Sequence, residues 1–319
     1  MEIAVLIPCY NEELTIGKVI DDFKRELPDA KIYVYDNNST DRTSEIAIQH
    51  GAIVRREPRQ GKGNVVRSMF RDIDADIYVM VDGDDTYPAE YVHQLIEPIK
   101  NGEANMVISD RLSNGSYFQE NKRRFHGFGN KLVKNLINML YKSDLKDIMT
   151  GYRAFDKLFV KSMPVISRGF EIETEMSIHA LDKNFLIKEV PIDYRDRPKG
   201  SKSKLNTFSD GIKVLNMIFI LFKDYKPFIF FTFWSLFFLI FGLAVGIPVI
   251  VEFLRTHYIT KIPSAILAVG LILSAMLSFA CGLILDTVAS THKKLYELEL
   301  NQIRERLIGG SKADEGKYH

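Results

Sequence analysis

Ile3–Ile7 is an unbroken apolar run, the pattern of a strand buried on both faces of a parallel sheet. It runs into Pro8-Cys9-Tyr10-Asn11-Glu12-Glu13, after which Ile16, Val19, Ile20, Phe23 and Leu27 recur at helical spacing. The alternation then repeats. Lys31–Tyr35 reads as a strand that stops at Asp36-Asn37-Asn38-Ser39-Thr40-Asp41, where Ser39 or Thr40 can cap a helix ending at Gly51. Ala52–Arg55 is a short third strand, and Gly61-Lys62-Gly63-Asn64 opens the next helix. Ile77–Val81 is a fourth, central strand, Met106–Ser109 a fifth that ends at Asp110-Arg111, and Leu186–Tyr194 a last one. Strand, polar turn and helix in regular succession predict an α/β domain with a doubly wound, mostly parallel sheet and right-handed crossovers.

Beyond about Tyr225 the pattern changes. Phe228–Val251 and Ile262–Leu285 contain no charged residue, and each is long enough to cross a hydrocarbon core of ~30 Å as a helix. The short connection Glu252–Lys261 makes them a transmembrane hairpin, in which Gly242, Gly246, Gly270 and Gly282 permit close helix packing. Leu295–Ile308 reads as a charged amphipathic C-terminal helix. The expected organisation is an α/β domain over 1–205, a basic juxtamembrane segment over 206–226, the hairpin over 227–290 and a tail over 291–319. Basic flanks at Lys223, Lys226, Lys293 and Lys294 predict that the α/β domain and both termini face the cytoplasm of a cell-membrane protein.

Charge adds little globally: 42 Lys and Arg against 41 Asp and Glu leave +1, which does not point to nucleic acid. Locally it adds much. Asp82-Gly83-Asp84-Asp85 puts three carboxylates at the end of the central strand, the edge at which ligands collect in open α/β sheets. So much negative charge suits a hard cation such as Mg²⁺, held by one or two carboxylates plus substrate phosphates; an acidic surface turn is the plain alternative. Polar groups after the other strands, Asn11 and Glu12, Asp36 and Asp41, and Lys62, converge on the same edge and suit a nucleotide. The G-x-x-x-x-G-K-[ST] pattern is absent, as is G-x-G-x-x-G after the first strand. Glu171, Glu173 and Glu175 open a helix, where its N-terminal dipole suffices to explain one or two of them. From Arg195 to Lys226, eight Lys and Arg face three Asp, so Arg195, Arg197 and Lys204 are candidates for a lipid phosphate, with membrane anchoring as the alternative. Two cysteines, Cys9 and Cys281, offer neither a disulfide framework nor metal spacing.

In order along the chain, Pro8-Cys9-Tyr10-Asn11-Glu12, Asp36 to Asp41, Gly61-Lys62-Gly63 and Asp82-Gly83-Asp84 resemble the motifs of family 2 glycosyltransferases of GT-A fold. Thr150-Gly151-Tyr152-Arg153 and Gly200 to Lys204 narrow the resemblance to polyprenyl-phosphate sugar transferases, similar to bactoprenol glucosyltransferases and dolichyl-phosphate mannose synthases. The resemblance implies transfer of a hexose or N-acetylhexosamine, with UDP-glucose or UDP-GlcNAc favoured, onto polyprenyl (undecaprenyl) phosphate with inversion. It implies Asp36 at the base, Pro8, Tyr10, Asn11, Glu12, Asn38, Asp41, Lys62, Asp82 and Gly83 around the nucleotide sugar, and Mg²⁺ or Mn²⁺ on Asp82 and Asp84. It implies Arg153 on phosphate, Asp147 at the catalytic acidic position in a positioning or weak-base role, and a homo-oligomer such as a tetramer. Two departures stand out: Asn37 where many relatives carry a second Asp, and Thr86 where mannose synthases carry a metal-contacting Gln. The Q-x-x-R-W signature of processive synthases is absent. Competing readings are transfer to a lipid-diphosphate or polysaccharide acceptor, and a sugar-nucleotide-binding partner without catalysis.

Overall fold

The computed structural model describes residues 1–114, 124–198, 219–220 and 222–315. Its α/β part is a seven-stranded sheet in the order β3-β2-β1-β4-β6-β5-β7. The strands are β1 (Ile3–Cys9), β2 (Lys31–Asp36), β3 (Ile53–Arg56), β4 (Ile77–Met80), β5 (Met106–Asp110), β6 (Arg153–Asp156) and β7 (Ile187–Pro191). Helices α1 (Ile16–Glu26), α2 (Thr43–Gln49), α3 (Lys62–Asp72) and α4 (Val92–Lys100) follow the first four strands. Helix α5 (Arg124–Tyr141) precedes β6, and α6 (Lys157–Ser162) and α7 (Ile172–Asp182) lie between β6 and β7.

The sequence pattern places six of the seven strands, β6 excepted, and β1 shows why. Ala4, Val5, Leu6 and Ile7 are all fully buried, and burying a large aliphatic side chain is worth on the order of 1.5–3 kcal/mol, so β1 belongs at the sheet's centre. Val5, Ile7, Val79 and Val81 pack on one face against Ile16, Ile20 and Phe23 of α1 and Val92, Leu95 and Ile96 of α4. On the other side Phe70 of α3 meets Phe155 edge-on at 5.7 Å, and Phe155 stacks on Phe159 of α6 at 5.1 Å.

Pairs β1–β2, β2–β3, β1–β4 and β5–β7 are parallel, as expected. The exception is β6, which runs antiparallel to both β4 and β5. Helix α2 also differs at its start. It begins at Thr43, whose backbone N–H is taken by Asp41 Oδ1 at 3.0 Å, while Ser39 Oγ accepts Asn11 N at 2.9 Å instead of capping. Gly51 does close the turn after α2, at φ +71°.

The described residues form two compact units, Met1–Val214 with Leu300–His319 and Leu215–Glu299. The second contains α8 (Pro227–Thr256) and the long apolar part of α9 (Ile262–Glu315), both long and apolar enough to cross a membrane. A Cβ on Gly242 would lie 2.9 Å from Ile272, and one on Gly282 would lie 3.0 Å from Phe231, so these glycines set the spacing of the two helices. Gly270 meets nothing within 4 Å and has no such role. Leu295–Ile308 is helical as expected, and it continues α9 without a break.

His179 of α7 packs between Phe159 and Phe185, at ring distances of 5.8 and 5.9 Å, and burial pushes its pKa down to about 4. A base with a depressed folded pKa binds its proton in the unfolded chain first, so its effect on stability is nil near neutrality and unfavourable as pH falls from about 6.5 to about 4. Urea denaturation across this window is expected to lose up to about 3 kcal/mol to this one group, and His179→Phe to flatten that slope. An unchanged slope in the variant would exclude His179 as its source.

Candidate active site at the carboxyl edge of the sheet

Three loops leaving the parallel half of the sheet are tied to one another by side-chain-to-backbone hydrogen bonds. After β1, Asn11 takes a left-handed conformation (φ 53°) and its Oδ1 accepts Thr40 N at 2.8 Å. Glu12 N donates to Thr43 Oγ1 at 2.8 Å, and Asp41 Oδ2 accepts Glu13 N at 3.2 Å. Thr15 Oγ1 donates to Gly83 O at 2.6 Å, which ties the β1 loop to the acidic loop after β4. After β2, Asp36 Oδ1 accepts Ser39 N at 3.0 Å, and Asn38 (φ 64°) donates through Nδ2 to Pro58 O at 2.9 Å. Pro8 is half-buried in β1, and Tyr10 is exposed beside these turns.

Asn37 accounts for the first departure from the family pattern. Its Oδ1 accepts Gly61 N at 2.6 Å, while its Nδ2 donates to Glu57 O at 3.0 Å and to Arg59 O at 2.8 Å. A carboxylate has no N–H to give those carbonyls, so Asp at this position would leave them without this donor. Gly61 and Gly63 are also explained by contact. A Cβ on Gly61 (φ +125°) would lie 2.1 Å from Arg168 O, and one on Gly63 would lie 2.2 Å from Ser167 O. These glycines let α3 abut the segment before α7, and the lysine between them is thereby aimed inward.

Lys62 Nζ lies 2.5 Å from Asp82 Oδ1 and 2.5 Å from Glu173 Oε1. Burial works against the charge on Lys62, but attraction to Asp82 and Glu173 outweighs it and raises the pKa, so the ammonium persists. Asp84 is 4% exposed. Its Oδ1 accepts Thr86 Oγ1 at 2.6 Å and Thr86 N at 3.3 Å, and its Oδ2 lies 2.5 Å from Arg197 Nη2. Burial, and then repulsion from Asp82, raise the Asp84 pKa, with Arg197 and Thr86 opposing. Thr86, the second departure, is 1% exposed and fixes the Asp84 carboxylate through its hydroxyl. Asp85 (φ 57°) turns away to Lys18, at 2.6 Å. Gly83 packs tightly, since a Cβ there would lie 2.8 Å from Cys9 Sγ.

A second polar cluster stands beside the first. Arg111 holds Asp147 in a fork, Nε to Oδ2 at 2.7 Å and Nη2 to Oδ1 at 3.0 Å, and its Nη1 donates to Tyr87 OH at 3.2 Å. Tyr87 OH also accepts Gly151 N at 3.0 Å. Gly151 in turn presses on Asp82, for a Cβ there would lie 2.4 Å from Asp82 Oδ2. Asp147, 3% exposed and gripped by a guanidinium, is arranged to position Arg111 and the loop to Gly151. Arg153 does not reach the rim: it is fully buried, donating to Ile148 O at 2.5 Å, Thr150 O at 3.0 Å and Ser177 Oγ at 2.9 Å. Its geometry braces the loop between Asp147 and Gly151 rather than offering a group to a phosphate. Burial lowers its pKa to about 10, which leaves it charged at neutral pH.

Arg195 and Arg197 part company. Arg195 pairs with Glu90 at 2.6 Å and its N–H donates to Thr86 O at 3.0 Å, while Arg197 points to Asp84. Lys204 lies outside the described residues. The sequence did not mark Arg111 and Tyr87 as site-organising groups, and the helix dipole, which suffices for one or two of the glutamates that open α7, left open that Glu173 is the second partner of Lys62. The one available signal for Arg111 was its place directly after a buried strand.

Asp82 and Asp84 fit a divalent cation as an incomplete oxygen donor set. Among the described residues no group of three or more His, Cys, Asp or Glu could hold a metal, so ligand oxygens would complete the shell, as is usual for Mg²⁺.

Residues 4–162 match the model of the family described as glycosyl transferase family 2. Glycosyltransferase AglJ of Haloferax volcanii is 30% identical over 305 residues, covering 93% of this chain and 98% of that one. A dolichyl-phosphate hexose transferase of the same organism is 32% identical over 213 residues, covering 67% of this chain and 90% of its own. Among solved structures, glucosyl-3-phosphoglycerate synthase from Mycobacterium tuberculosis in complex with Mn²⁺, uridine-diphosphate and phosphoglyceric acid superposes with a TM-score of 0.56. That superposition covers 70% of this chain and 78% of that one at 24% identity, a likeness of fold.

Lys62→Met should strand the buried Glu173 and the half-buried Asp82, at a cost of about 3–5 kcal/mol in chemical denaturation of the detergent-solubilised protein. Adding Glu173→Gln is expected to restore more than half of the loss. Strictly additive losses in that double-mutant cycle would mean that Lys62 and Glu173 are not coupled.

Proposed function

This chain belongs to glycosyl transferase family 2, and we propose that it moves a hexose or N-acetylhexosamine from a nucleoside diphosphate sugar to the phosphate of a membrane polyprenol. The observation that carries this reading is the Asp82–Asp84 pair at the end of β4, neutralised by Lys62 and Arg197, in a chain that also has two membrane-length apolar helices. The relative named for dolichyl-phosphate hexose transfer supports a lipid-phosphate acceptor. The fold neighbour that holds Mn²⁺ with uridine-diphosphate supports a metal-bound nucleotide donor.

In this reading the loops after β1 and β2, locked by Asn11, Asp36 and Asn37, hold the nucleotide. Asp82 and Asp84 would hold Mg²⁺ or Mn²⁺ on the diphosphate, where the ion would supply Lewis-acid neutralisation of charge on the leaving group. The acceptor asks little of a base. A phosphate monoester has its second pKa near ~6 and is already largely ionised at neutral pH. An acceptor phosphate oxygen bonds to the anomeric carbon as the bond from that carbon to the donor diphosphate breaks, with inversion. Asp147 agrees with that economy, since it is bound to Arg111 rather than poised to take a proton. The protein's larger task is to bring two anions together, for which Arg197 and Lys62 provide charge.

Turnover of a sugar-nucleotide panel with undecaprenyl phosphate, with and without Mg²⁺ or Mn²⁺, tests the proposal. Asp84→Asn is expected to lower metal-dependent transfer by about a thousandfold, the scale of losing a main electrostatic contact to the transition state, while the protein stays folded. Turnover only on lipid-diphosphate or polysaccharide acceptors would reject the acceptor assignment, and near-normal turnover by folded Asp84→Asn would reject the metal assignment.

The same reading places the sugar nucleotide, and therefore the catalytic domain and both termini, on the cytoplasmic side. Tyr258, in the connection between α8 and α9, then faces outward. Tyr258→Cys is expected to react with an impermeant maleimide in intact cells, and labelling only after permeabilisation would reverse the orientation.

A further inference from the structure

Asp84 has both carboxylate oxygens engaged. Oδ1 is held by the Thr86 hydroxyl and N–H within the same turn, an arrangement that is part of the loop's own fold. Oδ2 is therefore the oxygen open to exchange, and it is the one that Arg197 Nη2 approaches at 2.5 Å. A cation reaching Asp84 must compete with Arg197 for that oxygen.

The two cations of the acidic loop are not equivalent. The Lys62 side chain is 9% exposed and keeps Glu173 as a partner if Asp82 is drawn toward a metal. The Arg197 side chain is 29% exposed. Its backbone anchor lies two residues earlier, where Arg195 N–H bonds Thr86 O at 3.0 Å, so the side chain can swing without detaching the segment from the acidic loop.

Building on the reading above, we propose that Arg197 is an internal stand-in for the divalent cation. It neutralises Asp84 before the donor arrives, is expelled when a metal–diphosphate takes Asp84 Oδ2, and is thereby released to bind the acceptor phosphate. Acceptor capture then follows donor loading. The charge sign makes the inference distinctive: a bound nucleoside diphosphate is anionic and by simple repulsion should weaken the binding of a second anion, whereas release of a guanidinium strengthens it.

Two measurements on the full-length protein in neutral detergent test this. The first follows free Mn²⁺ by electron paramagnetic resonance in the absence of nucleotide. Arg197→Gln is expected to bind Mn²⁺ about three- to fivefold more tightly than wild type, as removal of a partly exposed ion pair should allow. Arg197→Lys should stay near wild type. Arg195→Gln, which removes the same formal charge from a partner of Glu90, should change the affinity less than about twofold, the tolerance left for screened surface charge. The second is calorimetric titration with a short-chain prenyl phosphate. Wild type is expected to bind it several-fold more tightly with Mn²⁺ and UDP present than without, and Arg197→Gln to lose that gain. Equal Mn²⁺ affinity in wild type and Arg197→Gln, or equal gains from the two Arg→Gln changes, overturns the inference while leaving the donor site intact. Failure of wild type to bind Mn²⁺ even with UDP overturns both the inference and the metal site it rests on.

Discussion

Negative charge crowded at the end of β4 is the constraint from which the rest of the site follows. Asp84 and Glu173 lie where burial makes ionisation costly, with Asp82 between them and half-buried, and the fold answers with basic groups from distant parts of the chain. Lys62 comes from the start of α3, and Arg197 comes from beyond the last strand. Placing Lys62 there requires glycine on both sides, because the backbone of α3 must touch that of the 167–169 segment. A charge requirement at one carboxylate is thus met by a packing requirement two loops away.

Much of this was legible in the sequence, for a specific reason. Strands buried on both faces are apolar over most of their length, so β1, β2, β4 and β5 announce themselves, and the polar residues at their ends are marked by contrast. β6 escaped because it begins with Arg153, and a buried arginine in a four-residue strand looks like a loop. That arginine is accommodated by carbonyls at Ile148 and Thr150, acceptors that carry no side-chain signature. Pairings across long separations were equally hidden. Glu173 is indistinguishable in sequence from the neighbouring glutamates that start α7, and only the fold shows which of them meets Lys62, 111 residues away. The continuity of α9 was obscured by a change in side-chain polarity, which reports surroundings and not backbone conformation.

Asn37 and Thr86 show how a departure from a family pattern can be read through hydrogen-bond capacity. Asn37 both donates and accepts, and it joins the turn after β2 to the one before α3. Thr86 commits its hydroxyl to Asp84, leaving one Asp84 oxygen committed and one exchangeable. In both cases the substitution alters which atoms remain available to a ligand, a property that residue similarity alone would miss.

The reversed direction of β6 has an architectural consequence. In the parallel half, a strand contributes to the rim only through the loop that follows it. Because β6 runs the other way, the segment that reaches the same edge is the one before it, from Asp147 to Tyr152, and the segment after it leaves by the opposite edge. The chain therefore feeds the rim from a strand's entrance as well as from strand exits. Length changes between α5 and β6 would reshape this edge while leaving the crossovers that join the first four strands untouched.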